Sequence, residues 1–258
     1  MAPIFFPTIE IIRFVIVLTR LLGIMLLAPF FGNQSFPIQV RIIFSLVCAL
    51  VLAPSLPLKQ VPVELDLSSV LVLMVGEVMI GLILGFAASC VFAGLQFAGQ
   101  IISFQLGFSI VNLIDPQSEV EAPIFSFLQN YIGMLFFLII NGHHWFLTAI
   151  RDSFSFLPIG GISIRGPLME HLVHLSAQVL IIGVRVAGPV IAVCVITDLV
   201  LGVISRAAPS IHIWIVGMPL KLLVGFSCLS LSFYFLPRFF GEVFSALSNT
   251  IFSFVHGI

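Results

Sequence analysis

Charge is scarce in this chain. Ten Lys and Arg and eleven Asp and Glu among 258 residues make 8% charged, against 60% hydrophobic. An ordinary soluble domain carries roughly a quarter charged residues, so that class is excluded. The net charge of −1, with no cluster of Lys or Arg, also excludes a nucleic-acid or phosphate-binding surface. Strand-like alternation of apolar and polar residues is missing, which argues against a β-barrel. The four cysteines, Cys48, Cys90, Cys194 and Cys228, form no CxxC pair and read as small buried hydrophobes. HExxH and GxSxG are absent, as is a glycine-rich phosphate loop ending in Lys, so protease chemistry has no residues and any nucleotide hydrolysis must come from another protein. His143 and His144 point about 100° apart on a helix, which suits a helix end or an interface better than a shared metal site. No catalytic residue, metal or cofactor is expected.

What remains is an all-α membrane protein. A helix needs about 20 apolar residues to cross a bilayer, and helices are expected at about 8–31, 38–57, 67–94, 95–113, 123–150, 169–205 and 211–257. Pro189 should kink the sixth, and Pro219 and Pro237 the seventh. Short connections between neighbours suggest antiparallel hairpins. No polar linker divides residues 1–258, so one domain is the simplest organisation. Arg13 and Arg20 interrupt the apolar N-terminal stretch, so it reads as a retained helix rather than a cleaved leader.

The few charges lie in unexpected places. Arg13 and Arg20 fall within Ile11–Phe31, and Glu77 is the only charge of Leu67–Ala93. Arg185 and Asp198 lie inside Leu175–Ile204, and Lys221 is mid-way along Ile211–Leu236. A charge near a bilayer centre costs roughly 3 kcal/mol on insertion scales, so each asks for a protein or water partner. Arg185 and Asp198 are about 220° apart around one helix and cannot pair within it. Their partners must come from other helices or other chains. Three readings are open: structural ion pairs, a proton or substrate path using Glu77, Arg185 and Asp198, or contacts between subunits.

Glycine and proline punctuate the rest. Gly76, Gly81, Gly85, Gly94, Gly99 and Gly107 recur within 32 residues, and Gly81-x-x-x-Gly85 lets helices approach closely. The most polar stretch, Asp115-Pro116-Gln117-Ser118-Glu119-Val120-Glu121-Ala122-Pro123, reads as a loop. A polar, Pro-bounded loop leaving a Gly-rich apolar helix can switch between packed and displaced positions. Phe104 and Phe108 beside it could exclude water and ions.

The order and spacing of several short motifs resemble the FliR/SctT family of type III export-gate proteins over nearly the whole chain. They are Arg20 to Arg41, Gly76-Glu77 with Gly81 and Gly85, Gly99 to Pro116, Asn141-Gly142-His143, Ala187-Gly188-Pro189-Val190, and Gly202 through Lys221 with Arg206, Pro209, Gly217 and Pro219. The chain departs from the family's Pro-Gln-x-Asn-Val-Phe, reading Pro209-Ser210-Ile211-His212-Ile213-Trp214. The resemblance implies a non-enzymatic subunit: membrane-associated helical hairpins with long kinked helices, part of a helical ring lifted partly out of the bilayer. The implied partners are FliP-like and FliQ-like subunits, an FlhB-like switch protein, unfolded exported proteins and membrane lipid. The implied place is the flagellar basal body at the bacterial inner membrane, with an injectisome gate as the alternative. A plug role carries onto Phe104, Phe108, Asn112, Asp115, Pro116, Glu119 and Glu121. Buried charges at subunit contacts are expected at Arg13, Arg20, Glu77, Arg185, Asp198, Arg206 and Lys221. A lipid-embedded transporter coupled through Glu77, Arg185 and Asp198 is the rival class.

Overall fold

The computed structural model describes residues 5–29, 37–55, 67–108, 124–157, 159, 166–209, 213–239 and 241–243. Among these, helices account for all the regular structure: α1 (Phe5–Leu27), α2 (Ile38–Leu52, extended by a 3-10 turn over Ala53–Ser55), α3 (Leu67–Gln105), α4 (Ile124–Ile139), α5 (Gly142–Phe156), α6 (Gly166–Ala207) and α7 (Ile213–Phe233). The all-α membrane class expected from composition is what is found. Three described helical segments are long and apolar enough to cross a bilayer: Ser68–Gln105, Leu172–Ala207 and Ile215–Phe233.

The element boundaries differ from the expectation in three places, each for a local reason. The helices expected at 67–94 and 95–113 are one 39-residue helix, because Gly94 is accommodated rather than used as a break. Its open side faces Ile182, whose side chain would lie 2.6 Å from a Cβ placed there. The helix expected at 123–150 is instead two, separated at Asn141, whose φ of 57° is left-handed. Asn tolerates that region better than other non-Gly residues, and the Asn141-Gly142 dipeptide is a turn signal. The helix α7 stops at Phe233, where a turn over Tyr234 and Phe235 breaks it; helical backbone resumes over residues 236–239, with Pro237 in its first turn, and the stretch from 244 onward lies outside the described residues. Pro189 and Pro219 both sit inside continuous helices.

The described residues gather into two compact units. Those of Met1–Ser89 and Asn141–Val173 form one, and those of Cys90–Ile140 and His174–Phe244 the other. In the first unit α1 is the core helix. Its Val17, Leu21, Ile24, Met25 and Ala28 pack with Ala49 and Ala53 at the end of α2 and with Ile150 and Phe154 of α5. The helix that carries Arg13 and Arg20 is thus enclosed by protein. Contacts pair residue 20 with 77, 23 with 81 and 27 with 85, so α1 and the start of α3 run parallel.

In the second unit the rest of α3 runs antiparallel to α4, with Gln96 opposite Ser126 and Phe92 opposite Phe137. It runs parallel to α6, with Gly94 against Val179 and Ile182 and Phe97 against Gly183. Helices α6 and α7 form an antiparallel hairpin: Asp198 meets Lys221, and four residues back on α6 Cys194 meets Gly225, four residues forward on α7. At Gly99 a Cβ would sit 2.5 Å from the Phe125 carbonyl oxygen and the Ser126 Cα, so only glycine permits this approach of α3 to α4.

Candidate functional site

The most developed polar site is the α1–α3–α5 junction of the first unit. Arg20 and Glu77 have side chains with no exposure, and Arg20 Nε donates to Glu77 Oε2 at 2.5 Å. The remaining guanidinium donors turn to the end of α5. One terminal nitrogen donates to the carbonyl oxygen of Ser153 at 3.0 Å and reaches its hydroxyl at 3.3 Å, and the other donates to the carbonyl of Leu157 at 2.9 Å. The C-terminal end of a helix carries the negative end of its dipole, so a cation there is favoured. The face of the guanidinium lies 4.0 Å from the centre of the Phe154 ring, a cation–π contact.

Burying two ions costs several kcal/mol each, and that cost is offset only where geometry is good and the other donors are satisfied. Here one arginine makes four hydrogen bonds, to a carboxylate, two carbonyls and a hydroxyl, and lays its face on a ring. Glycine makes the pairing possible. A Cβ on Gly81 would collide with the carbonyl oxygen of Arg20 and lie 2.9 Å from the Ile24 nitrogen, while one on Gly23 would lie 2.7 Å from the Val78 oxygen. Close backbone approach and buried ion pair therefore depend on each other. Arg13, two turns before Arg20, is also buried, and its partner is Glu10 on its own helix at 3.2 Å.

Of the other intrahelical charges, Lys221 Nζ donates to Asp198 Oδ2 at 2.8 Å, which neutralises both within the α6–α7 hairpin. Arg185 and Arg206 are exposed on α6, and neither makes an ion pair with any described residue. The seven charges therefore divide. Three are buried and satisfied in the chain, two pair on a half-exposed hairpin, and two face outward.

At the end of α3, Gly107 takes a φ of 87°, the left-handed conformation that stops a helix. Phe108 follows and stands edge-on to Phe125 with ring centroids 5.1 Å apart, and Phe125 meets Phe226 at 5.5 Å. Phe104, one turn earlier, is 73% exposed. Asn112, Asp115, Pro116, Glu119 and Glu121 lie outside the described residues. His143 and His144 occupy the first turn of α5, the helix end expected for them, with rings 4.5 Å apart. Among the described residues no group of His, Cys, Asp or Glu is arranged to hold a metal. Cys90 and Cys194 are buried, and Cys48 and Cys228 partly so, all as free thiols.

The sequence pointed to the charges but not to their partners. Ser153, Phe154 and Leu157, which complete the Arg20 site, carried no signal as a motif. Gly23 was the available clue, because it faces Gly81 across the junction.

Outwardly the chain is very apolar. Exposed hydrophobics gather on the first part of α3, at Leu71, Val72, Val75 and Met79, with Phe104 at its end, and run along α6 from Val173 to Ile204. The membrane-length segment of α6, Leu172–Ala207, covers 36 residues, or about 54 Å at 1.5 Å per residue. A hydrocarbon layer of about 30 Å could hold that length only at a tilt of about 56°, beyond the usual range of 0–40°.

Known proteins resemble this chain along nearly its whole length. The family described as "Bacterial export proteins, family 1" matches residues 11–247. The chain is 32% identical over 238 residues to the flagellar biosynthetic protein FliR of Escherichia coli K12, covering 91% of this chain and 90% of that one. It is 29% identical over 245 residues to FliR of Bacillus subtilis (92% and 94%) and 29% over 217 residues to FliR of Caulobacter vibrioides (84% and 86%). With the match running through the buried junction, the α6–α7 hairpin and nearly all of the helical chain between them, this protein belongs to the FliR family of bacterial export proteins.

Proposed function

We propose that the chain is a structural and gating subunit of the flagellar type III protein-export channel, a non-enzymatic single-domain component that forms the entry pore with FliP-like and FliQ-like subunits. The observation that carries this reading is the length of α6 and of its exposed hydrophobics, Val173 to Ile204, which outrun a bilayer and ask for protein on part of their surface. Family membership supplies the process, export, and the apolar surface supplies the role, assembly. In this reading unfolded substrate proteins pass through the ring, an FlhB-like protein wraps its cytoplasmic side, and the assembly sits at the inner membrane in the basal body.

The segment Gly107–Glu121 acts as the plug. Support for it comes from the left-handed Gly107, which releases the chain from α3, and from Phe108, which leans on Phe125 at the point of departure. Exposed Phe104 fits a hydrophobic constriction that excludes ions by dewetting. A transporter coupled through Glu77, Arg185 and Asp198 has less support, since Glu77 is locked to Arg20 and Asp198 to Lys221.

Secretion of flagellar subunits into the medium tests the reading. A strain lacking the gene should secrete none, and a plasmid copy should restore secretion. Rescue of an injectisome mutant but not of a flagellar one would move the chain to the virulence branch, and unchanged secretion in the deletion strain would overturn the export role. Deleting Asp115–Glu121 should make the membrane leaky to small ions while assembly survives; normal ion retention with blocked assembly would sink the plug.

A further inference from the structure

Among the described residues, Arg185 is the unpaired charge nearest the middle of α6, whereas Arg206 lies at its end. It is exposed within the membrane-length segment Leu172–Ala207 and makes no ion pair with any described residue. Glu77 and Asp198, the other charges inside apolar helices that could have answered it, are already paired. Helical spacing places Ile181, Arg185, Gly188, Ala192 and Ile196 in one stripe. Ile181, Arg185, Ala192 and Ile196 are exposed, and a Cβ on Gly188 would meet nothing within 4 Å. Among the described residues nothing lies over Gly188 in this stripe.

Three physical points choose its occupant. Hydrocarbon is excluded by the cost of roughly 3 kcal/mol for a central charge. It is excluded further by Pro189, which has no N–H to offer the carbonyl of Arg185 four residues before it. A lipid phosphate would require the bilayer to begin near Arg185, which would leave outside it either the exposed Val173, Leu180, Ile181 and Val184 or the exposed Val195, Ile196, Leu199, Val200 and Val203. A carboxylate on a closely packed helix answers both needs. It accepts the guanidinium's paired donors, and Gly188 and Ala192, four residues apart, let a second backbone come close.

We propose that the α6 stripe centred on Arg185 is the seat of an acidic helix from a neighbouring subunit, a helix with one Asp or Glu in an otherwise apolar run. The inference rests on the export-gate reading and names the chemistry of one of its contacts. Arg185 is the single charge of the stripe, so it also sets the register: the partner's carboxylate lies one turn from where its backbone crosses Gly188.

The test uses the full chain co-expressed with its sibling export-gate subunits, carrying a photo-crosslinking amino acid at Ala192, together with recovery of the complex on affinity purification. The crosslink should reach an apolar helix of a different subunit, within about one turn of an Asp or Glu. Arg185→Glu should lower recovery of the complex at least tenfold, Arg185→Lys much less, and Arg at the partner's acidic position should restore the Arg185→Glu complex. Crosslinks only to lipid or to another copy of this chain, full recovery with Arg185→Glu, or failure of the reversed pair to restore it, would each overturn the proposal. An intact complex and normal secretion in Arg185→Glu, beside lost secretion on gene deletion, would remove this contact and leave the export reading standing. Secretion that survives gene deletion would remove the reading itself.

Discussion

Replacing Glu77 by Gln should destabilise the first unit far more than replacing Glu77 and Arg20 together by apolar residues. The single change leaves a fully buried guanidinium facing a neutral amide, with no water to take the place of the carboxylate. Removing one partner of a buried pair typically costs about 3–5 kcal/mol, which is roughly two to four powers of ten in the folding equilibrium at 1.36 kcal/mol per factor of ten. Arg20→Met with Glu77→Leu removes both ions. Ser153's carbonyl keeps the Leu157 amide at 2.9 Å, and the apolar neighbours Val17, Leu21 and Phe154 can close on the new side chains. Exchanging a buried ion pair for apolar groups of similar size is often neutral or better. The assay is urea or thermal unfolding of the assembled complex in detergent, followed by limited proteolysis at α1. Glu77→Gln should unfold at clearly lower denaturant, and the double variant should recover most of the loss. If the double variant costs the sum of the two single changes, the pair is not the coupled unit described here. An unshifted transition for Glu77→Gln would refute the burial argument outright.

Other expectations follow from neighbouring geometry. Gly81→Ala forces a methyl group into the carbonyl of Arg20 and should lower complex yield sharply, whereas Gly188→Ala, with nothing within 4 Å, should leave the chain's own stability unchanged or raise it by up to about 1 kcal/mol through helix propensity. Unfolding curves of both variants separate the two cases. Phe125→Ala removes the ring between Phe108 and Phe226 and should cost about 3–5 kcal/mol, with an increased proteolysis rate just after Gly107 as the readout. Asp198→Asn and Lys221→Met should each reduce the amount of protein in the membrane, and the swapped pair Asp198→Lys with Lys221→Asp should restore part of it, measured by immunoblot of membrane fractions.

Much of the helical plan was legible because apolar runs and proline-bounded loops are local signals. Errors came where local signals conflict. Gly94 looked like a boundary, yet packing against Ile182 keeps α3 continuous, and tertiary contact overrides a weak propensity. Asn141-Gly142 looked like helix interior because the apolar pattern resumes beyond it, yet its turn chemistry prevailed. The charges announced themselves by their surroundings. Their partners did not, since Arg20 and Glu77 lie 57 positions apart and no periodicity links them. What joins them is the matching of Gly23 to Gly81, a property of two helices that neither segment displays alone.

The central claim is that this surface is made for other subunits, and the most direct measurement is the mass of the purified particle with and without them. Expressed alone the chain should be recovered poorly and without a defined mass. Co-expressed with FliP-like and FliQ-like subunits, it should be stable and appear in one complex of fixed composition by native mass spectrometry. A stable, monodisperse particle of this chain alone, unchanged by co-expression, would contradict the account.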